Sequence, residues 1–133
     1  MGNKFSHLDN KGNARIVDIS KKKKSSRFAK AKATVWLSKK ILTMIKNDEF
    51  KKGNVINVAR IAGIMGAKQT SSLIPLCHNI NLDSNDISFK FLEEELEIVS
   101  TVKSEEKTGV EMEALTAVTV SALTIYDLSL IHI

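Results

Sequence analysis

The chain has 133 residues, of which 43% are hydrophobic and 26% charged, a length and composition that fit one compact domain and exclude two ordinary ones. Its net charge of +5 favours an anionic partner such as a phosphate, a nucleotide or a nucleic acid. A single cysteine excludes an internal disulfide, and no paired Cys and His spacing indicates a structural zinc site. The N-terminus lacks the apolar run of a signal peptide, and no stretch is long enough to cross a bilayer, so we expect a cytoplasmic protein with no membrane partner.

The first part of the chain predicts an extended segment and a helix. Residues 14–19 alternate enough between apolar and polar side chains to indicate a first strand or an extended arm. Lysines at 21–24 then form a basic turn. Residues 27–47 place apolar side chains at helical spacing with lysines on the other face, which predicts an amphipathic helix.

A second helix is predicted from Asn54, whose side chain suits a cap, to about Met65. Gly63 and Gly66 weaken this helix intrinsically, so we expect them to permit the close approach of another backbone or of a ligand.

The second half of the chain predicts two strands and a last helix. Residues 86–91 and 96–102 read as strands joined by an acidic hairpin at 93–95, and residues 111–127 read as a helix with a small-residue face. The order of strand, two helices, two strands and helix favours an α+β fold, with helices on one face of an antiparallel sheet.

Cys77 and His78 lie in a loop that follows Pro75. An imidazole there is suited to binding a substrate or to moving a proton near neutral pH, but a lone histidine is more often structural. Cys77 fits a small buried residue better than a nucleophile, because no neighbouring charge is visible that would lower its pKa.

Two glutamates open the last helix. Thr108 and Glu111 have the spacing of a capping box, and capping alone would explain Glu111. Glu113 has no such local explanation, and residues two apart on a helix point to opposite sides. Glu113 is therefore the better candidate for a carboxylate that faces a ligand.

Asp127 lies fourteen positions after Glu113, so the two project from nearly the same side of the helix. Their separation along the axis is roughly 20 Å at about 1.5 Å per residue, too far for one small substrate within one subunit. If both line one pocket, the spacing predicts a pocket assembled from two chains. A carboxylate at a helix C-terminus opposes the helix dipole, which favours a functional role for Asp127.

The lysines allow more than one interpretation. Lys52 precedes Gly53 just before a helix N-terminus, where a lysine and free backbone N–H groups attract phosphate. Lys68 in the second helix is an ordinary solvated position by default. The run at 21–24 is basic enough to contact nucleic acid, but 5% aromatic residues give little capacity for base stacking, and we expect no nucleic-acid partner.

Several segments together resemble the cyclic pyranopterin monophosphate synthase family of molybdenum cofactor biosynthesis. They are residues 18–20, 52–53, 59–64, 67–68, 73–78, 108–116 and 122–127. The resemblance runs from about His7 to Asp127. It implies a ferredoxin-like α+β subunit, a hexamer built as a trimer of dimers, and an active site at a subunit interface.

The resemblance implies a lyase that converts 3′,8-cyclised dihydro-GTP into cyclic pyranopterin monophosphate and releases pyrophosphate. By matching position, it implies catalytic roles for Asp127 and Lys52, with Lys68 and Glu111 as further possible site residues. The substrate-binding residues that it implies are Leu76, Cys77, His78, Met112 and Glu113. We expect no required cofactor, and Mg²⁺ carried with the substrate phosphates is an open alternative.

The resemblance stops after Asp127. Where the family continues with a Cys-Lys segment and a later Gly-rich lysine loop, this sequence has residues 128–133, with Leu130 at the position of the first lysine. We expect these residues to be a non-native tail, and we expect this chain by itself to be inactive. The alternative is a truncated non-catalytic homologue that binds a nucleotide or a partner subunit.

Overall fold

The computed structural model describes residues 8–50 and 53–130. Lys52, predicted to hold phosphate, lies outside the described residues, as does the end of the chain from residue 131. The elements in chain order are β1 (Ser25–Trp36), α1 (Lys39–Lys46), α2 (Val55–Lys68), α3 (Thr70–Leu73), β2 (Ser84–Phe91), β3 (Glu95–Glu106) and α4 (Glu111–Ser129).

The strands form an antiparallel sheet in the order β1-β3-β2, with α2 and α4 packed on one face. The register runs from Ser25 opposite Glu106 to Trp36 opposite Glu95, and Phe91 pairs with Leu96. The predicted α+β, ferredoxin-like class with helices on one face is confirmed. None of the helices in residues 8–50 and 53–130 has the length and apolar character needed to cross a membrane.

β3 provides the centre of the core. Leu96, Ile98, Ser100 and Val102 point towards the helices and are fully buried, while the intervening residues point to the other face. Because side chains alternate between the two faces of a strand, this pattern of period two separates core from surface. The two strands and the acidic hairpin predicted in this half of the chain are confirmed.

The prediction of a helix over residues 27–47 is wrong for the first half of this segment. Residues 25–36 form β1, and only Lys39–Lys46 are helical, with Ser38 as the cap that accepts a hydrogen bond from the backbone N–H of Ile41 at 3.2 Å. In β1 the buried positions are the small residues Ala29 and Ala31, whereas the aromatic residues point outwards. Weak apolar alternation of this kind is easily read as a helical pattern.

Residues 15–19 do not form a strand. Leu8 and Ala14 make one isolated bridge, and the chain that follows is an irregular arm which ends in a turn closed by a hydrogen bond from Lys22 N to Ile19 O at 3.0 Å. The arm therefore corresponds to the second of the two forms predicted for this segment, and the first strand of the sheet begins later, at Ser25.

α2 and α4 cross at very close range. The Asn54 side chain caps α2 by accepting from Asn57 N at 2.9 Å, as predicted. A methyl group on Gly63 would lie 2.9 Å from the carbonyl oxygen of Ala117, and Ser121 Oγ donates to Ala59 O at 2.7 Å. The predicted role of Gly63 in close backbone approach is thereby confirmed, and α4 is the element that approaches.

Candidate active site

A cavity of about 310 Å³ opens where the arm, the loop after α3 and the start of α4 meet. The described residues that line it are Val17, Ile19, Lys22, Leu76, Cys77, His78, Thr108, Gly109, Glu111, Met112 and Glu113. It therefore brings together all five of the predicted substrate-binding residues, together with Glu111. They come from a loop and a helix that are distant in sequence.

Two other predicted site residues lie elsewhere. Lys68 is exposed on α2 and borders a separate depression with residues 79–82. Asp127 is exposed near the C-terminal end of α4 and is not part of the described lining of the cavity. Fourteen residues of continuous helix place it roughly 20 Å from Glu113.

The arm is the part of the cavity that the sequence did not identify as a site. Val17, Ile19 and Lys22 belong to the residues that line the cavity. Lys107 Nζ donates to Ser20 O at 3.3 Å and so ties the arm to the end of β3. In the sequence, Val17 and Ile19 are visible only as part of a weak apolar alternation. Lys22 lies in a run of four lysines that is typical of a solvated turn, so nothing distinguishes it from its neighbours.

His78 holds the arm from the loop side. Its Nε2 lies 2.5 Å from the carbonyl oxygen of Val17. Because a carbonyl oxygen only accepts hydrogen bonds, Nε2 must carry the hydrogen in this contact. In the neutral ring the other nitrogen, Nδ1, is then an acceptor. His78 is therefore both an anchor for the arm and a group with a basic nitrogen.

Glu113 is the buried acid of the cavity, with only 5% of its surface exposed. Burial, and to a smaller extent the charge of Glu111, raises the pKa of the Glu113 carboxyl, although a hydrogen bond from its own backbone N–H lowers it in part. Glu113 thus keeps its proton to a higher pH than an ordinary glutamate, and in that form it is a hydrogen-bond donor.

Cys77 does not have the properties of a nucleophile. Burial raises the pKa of its thiol, and the negative charge of Glu113 raises it further. A thiol with a raised pKa stays protonated at neutral pH, and the thiolate is the reactive form. This agrees with the expectation that Cys77 is not a nucleophile, although its side chain is half-buried and not fully buried as expected.

The predicted capping box at the start of α4 is wrong. The cap position is Val110, and no side chain among the described residues caps this helix. Thr108 lines the cavity instead, and Glu111 is exposed with its carboxylate folded over Gly109. The helix begins at Glu111 and its cap is the preceding residue, so the three-residue spacing between cap and glutamate that a capping box requires is absent. Capping therefore does not account for Glu111.

The cavity combines a buried acid, an imidazole with an acceptor nitrogen, a second carboxylate and a lysine amine. Such groups bind a polar small molecule and move protons on it. Among the described residues, no group of three or more His, Cys, Asp or Glu side chains is placed to hold a metal ion. The fold and the cavity together define an α+β enzyme with an acid–base site.

Comparison with known proteins identifies the family. The MoaC family matches residues 16–130, and the chain belongs to this family. It is 51% identical over 124 residues to the cyclic pyranopterin monophosphate synthase of Peptoclostridium acidaminophilum, a match that covers 93% of this chain and 79% of the relative. The resemblance to the cyclic pyranopterin monophosphate synthase family, described above from the sequence, is thereby confirmed.

Two further relatives span different protein lengths. The cyclic pyranopterin monophosphate synthase of Clostridium perfringens strain SM101 is 50% identical over 130 residues, which cover 96% of this chain and 82% of that protein. The molybdenum cofactor biosynthesis protein 1 of Drosophila melanogaster is 48% identical over 126 residues, which cover 93% of this chain but 22% of that protein. The same unit thus also occurs within a much longer chain.

Proposed function

We propose that the protein acts as a lyase of molybdenum cofactor biosynthesis, which converts 3′,8-cyclised dihydro-GTP into cyclic pyranopterin monophosphate and releases pyrophosphate. Relatives that are about half identical over most of the chain carry the name of this synthase. The observation that carries the proposal is the single cavity that collects Leu76, Cys77, His78, Met112 and Glu113.

The cavity supplies the proton chemistry that a ring rearrangement needs. In the proposed reaction the Glu113 carboxyl donates a proton and Nδ1 of His78 accepts one, and the raised pKa of Glu113 favours its protonated form. The amine of Lys22, the one lysine among the described lining residues, offsets the negative charge of a phosphate. Leu76 and Met112 provide apolar contact for the flat ring system. In this proposal Cys77 is a neutral contact.

We further propose that the complete site is shared between copies of the chain, in a hexamer built as a trimer of dimers. The family resemblance implies a catalytic role for Asp127. This residue lies roughly 20 Å along α4 from Glu113, which is farther than one small substrate reaches. A second copy whose α4 presents Asp127 to this cavity would close that distance. Lys52, also assigned to catalysis, would supply a further cation. A single cysteine fits a reducing compartment, so we place the reaction in the cytoplasm.

The test separates binding from turnover. The purified protein is incubated with 3′,8-cyclised dihydro-GTP, substrate binding is measured by calorimetry, and pyrophosphate release is measured in parallel. If the chain releases pyrophosphate, contrary to the expectation that it is inactive by itself, Glu113→Ala should lower that release by about 100-fold or more. Lys103→Ala, on the outer face of the sheet, is the matched control and should leave both quantities unchanged.

Release of pyrophosphate that requires Glu113 supports the proposal. Binding without any release would contradict the lyase assignment and would favour a homologue that only binds the nucleotide. An absence of binding would contradict the assignment of the cavity as well.

A further inference from the structure

Gly109 and Glu111 have an unusual relationship at the edge of the cavity. The Glu111 carboxylate folds back over Gly109, so that a methyl group placed on Gly109 would lie 2.6 Å from Glu111 Cδ and closer still to both carboxylate oxygens. Real side chains do not approach so closely. The space that a Cβ would fill at residue 109 is therefore occupied by the carboxylate of residue 111.

The backbone gives no other reason for a glycine at this position. Of the glycines that the structure describes, Gly12 and Gly53 have positive φ, and Gly109 does not. An alanine at residue 109 would therefore fit the local backbone without strain. The three atoms nearest to an added Cβ all belong to the Glu111 carboxylate, the far end of a flexible side chain, which would have to move.

Where Glu111 places its charge matters to the rest of the cavity. The titratable groups around Glu113 are Lys22 from the arm, Cys77 and His78 from the loop, and Glu111 from α4 itself. Of these, the charge of Glu111 acts on Glu113 and contributes to its raised pKa. A second negative charge close to a buried carboxyl favours the protonated form of that carboxyl.

We propose that Gly109 is a positioning residue, whose missing Cβ leaves the space in which the Glu111 carboxylate folds back within the cavity that it shares with Glu113. The residue acts through Glu111 and need not contact a substrate. Its importance for catalysis rests on the proposed function. The effect of Gly109 on the Glu111 carboxylate is measured without substrate. A failure of the proposed lyase function and a failure of the proposed role of Gly109 are therefore distinguishable.

The test is a double-mutant cycle in the full chain with Gly109→Ala, Glu111→Ala and the combination of both. The titration of the Glu113 carboxyl is followed by carbon-13 NMR, with Glu113→Gln used to assign the signal, and the melting temperature is recorded for each variant. Gly109→Ala alone should lower the pKa of Glu113 towards the value found in Glu111→Ala. In the Glu111→Ala background, the same Gly109→Ala change should have no effect on it.

Two outcomes would overturn the proposal. One is an unchanged Glu113 titration in Gly109→Ala. The other is that Gly109→Ala changes the Glu113 titration, or lowers the melting temperature, by the same amount in the wild type and in Glu111→Ala. Such a result would show that the glycine is required by the backbone and not by the Glu111 side chain. Glu111→Gln provides an independent check, since it removes the charge while keeping the shape, and it should lower the pKa of Glu113 at least as far as Gly109→Ala does.

Discussion

The negative charge of Glu113 raises the pKa of the Cys77 thiol, second only to burial as a cause. The two side chains come from α4 and from the loop after α3, and they line one cavity. Cys77 is the one cysteine of the chain. The titration of the Cys77 thiol can therefore be used to monitor the charge on Glu113.

Glu113→Gln should lower the pKa of Cys77, because the variant removes a negative charge that disfavours the thiolate. Burial remains, so the pKa should stay above the ordinary thiol value. The measurement is the rate of iodoacetamide alkylation as a function of pH, followed by mass spectrometry. Glu105→Gln, an exposed position on β3, is the matched control and should leave the profile in place. An unchanged profile in Glu113→Gln would show that the two groups are not coupled.

The sequence predicted the elements whose apolar pattern is strong. Leu96 and Ile98 alternate with polar neighbours in β3, and the cap Asn54 marks the start of α2, so both elements follow from local chemistry. β1 was missed because its buried positions are alanines, while Phe28 and Trp36 are 61% and 73% exposed on the other face. Large apolar side chains normally mark the buried face of a strand, but in β1 they lie on the solvent-exposed face.

The site was predictable in part for a similar reason. His78 and Glu113 belong to segments with a recognisable pattern, and the fold brings them together at one cavity. The contribution of Lys22 depends on where an irregular arm crosses the surface, which no local periodicity encodes. Likewise, the distinction between a capping role and a cavity position for Glu111 depends on a helix start displaced by two residues, and helix ends are the least certain part of a sequence-based prediction.

The stability of the protein should depend on pH through Glu113. Burial raises the pKa of this carboxyl in the folded state, so the folded protein binds the proton more tightly than the unfolded chain does. This stabilisation is complete below the unfolded pKa and is lost as the pH rises through the folded pKa. Glu113→Gln stays neutral, so the unfolding free energy of the wild type should fall relative to that of the variant across this window.

The measurement for this second prediction is urea unfolding of the wild type and Glu113→Gln at a series of pH values. The quantity compared is the difference between the two unfolding free energies, which cancels titrations common to both proteins. A difference that does not change with pH would mean that burial does not perturb Glu113. Glu105→Gln again serves as the exposed control.

The contact between α2 and α4 should be sensitive to a single added methyl group. Gly63→Ala would place its Cβ 2.6 Å from Ile87 Cδ1 and 2.9 Å from the backbone oxygen of Ala117. Overpacking of this kind costs about 1–3 kcal/mol and outweighs the helix preference of alanine, which is worth about 1 kcal/mol. We expect a net loss of up to about 2 kcal/mol in urea unfolding. Met65→Ala, at a position 61% exposed on the same helix, should stay within about 0.5 kcal/mol of the wild type.

A site shared between copies makes a quantitative prediction for mixed chains. Glu113→Ala and Asp127→Ala should each be inactive alone, because each removes one half of every site. After unfolding, mixing and refolding together, a two-fold pair that exchanges α4 ends would contain one intact site in each mixed dimer, and about a quarter of the wild-type activity should return. Mixing Glu113→Ala with the double variant Glu113→Ala/Asp127→Ala is the control and should restore nothing. If the first mixture also stays inactive while mass spectrometry shows mixed oligomers, Asp127 does not complete the cavity that contains Glu113.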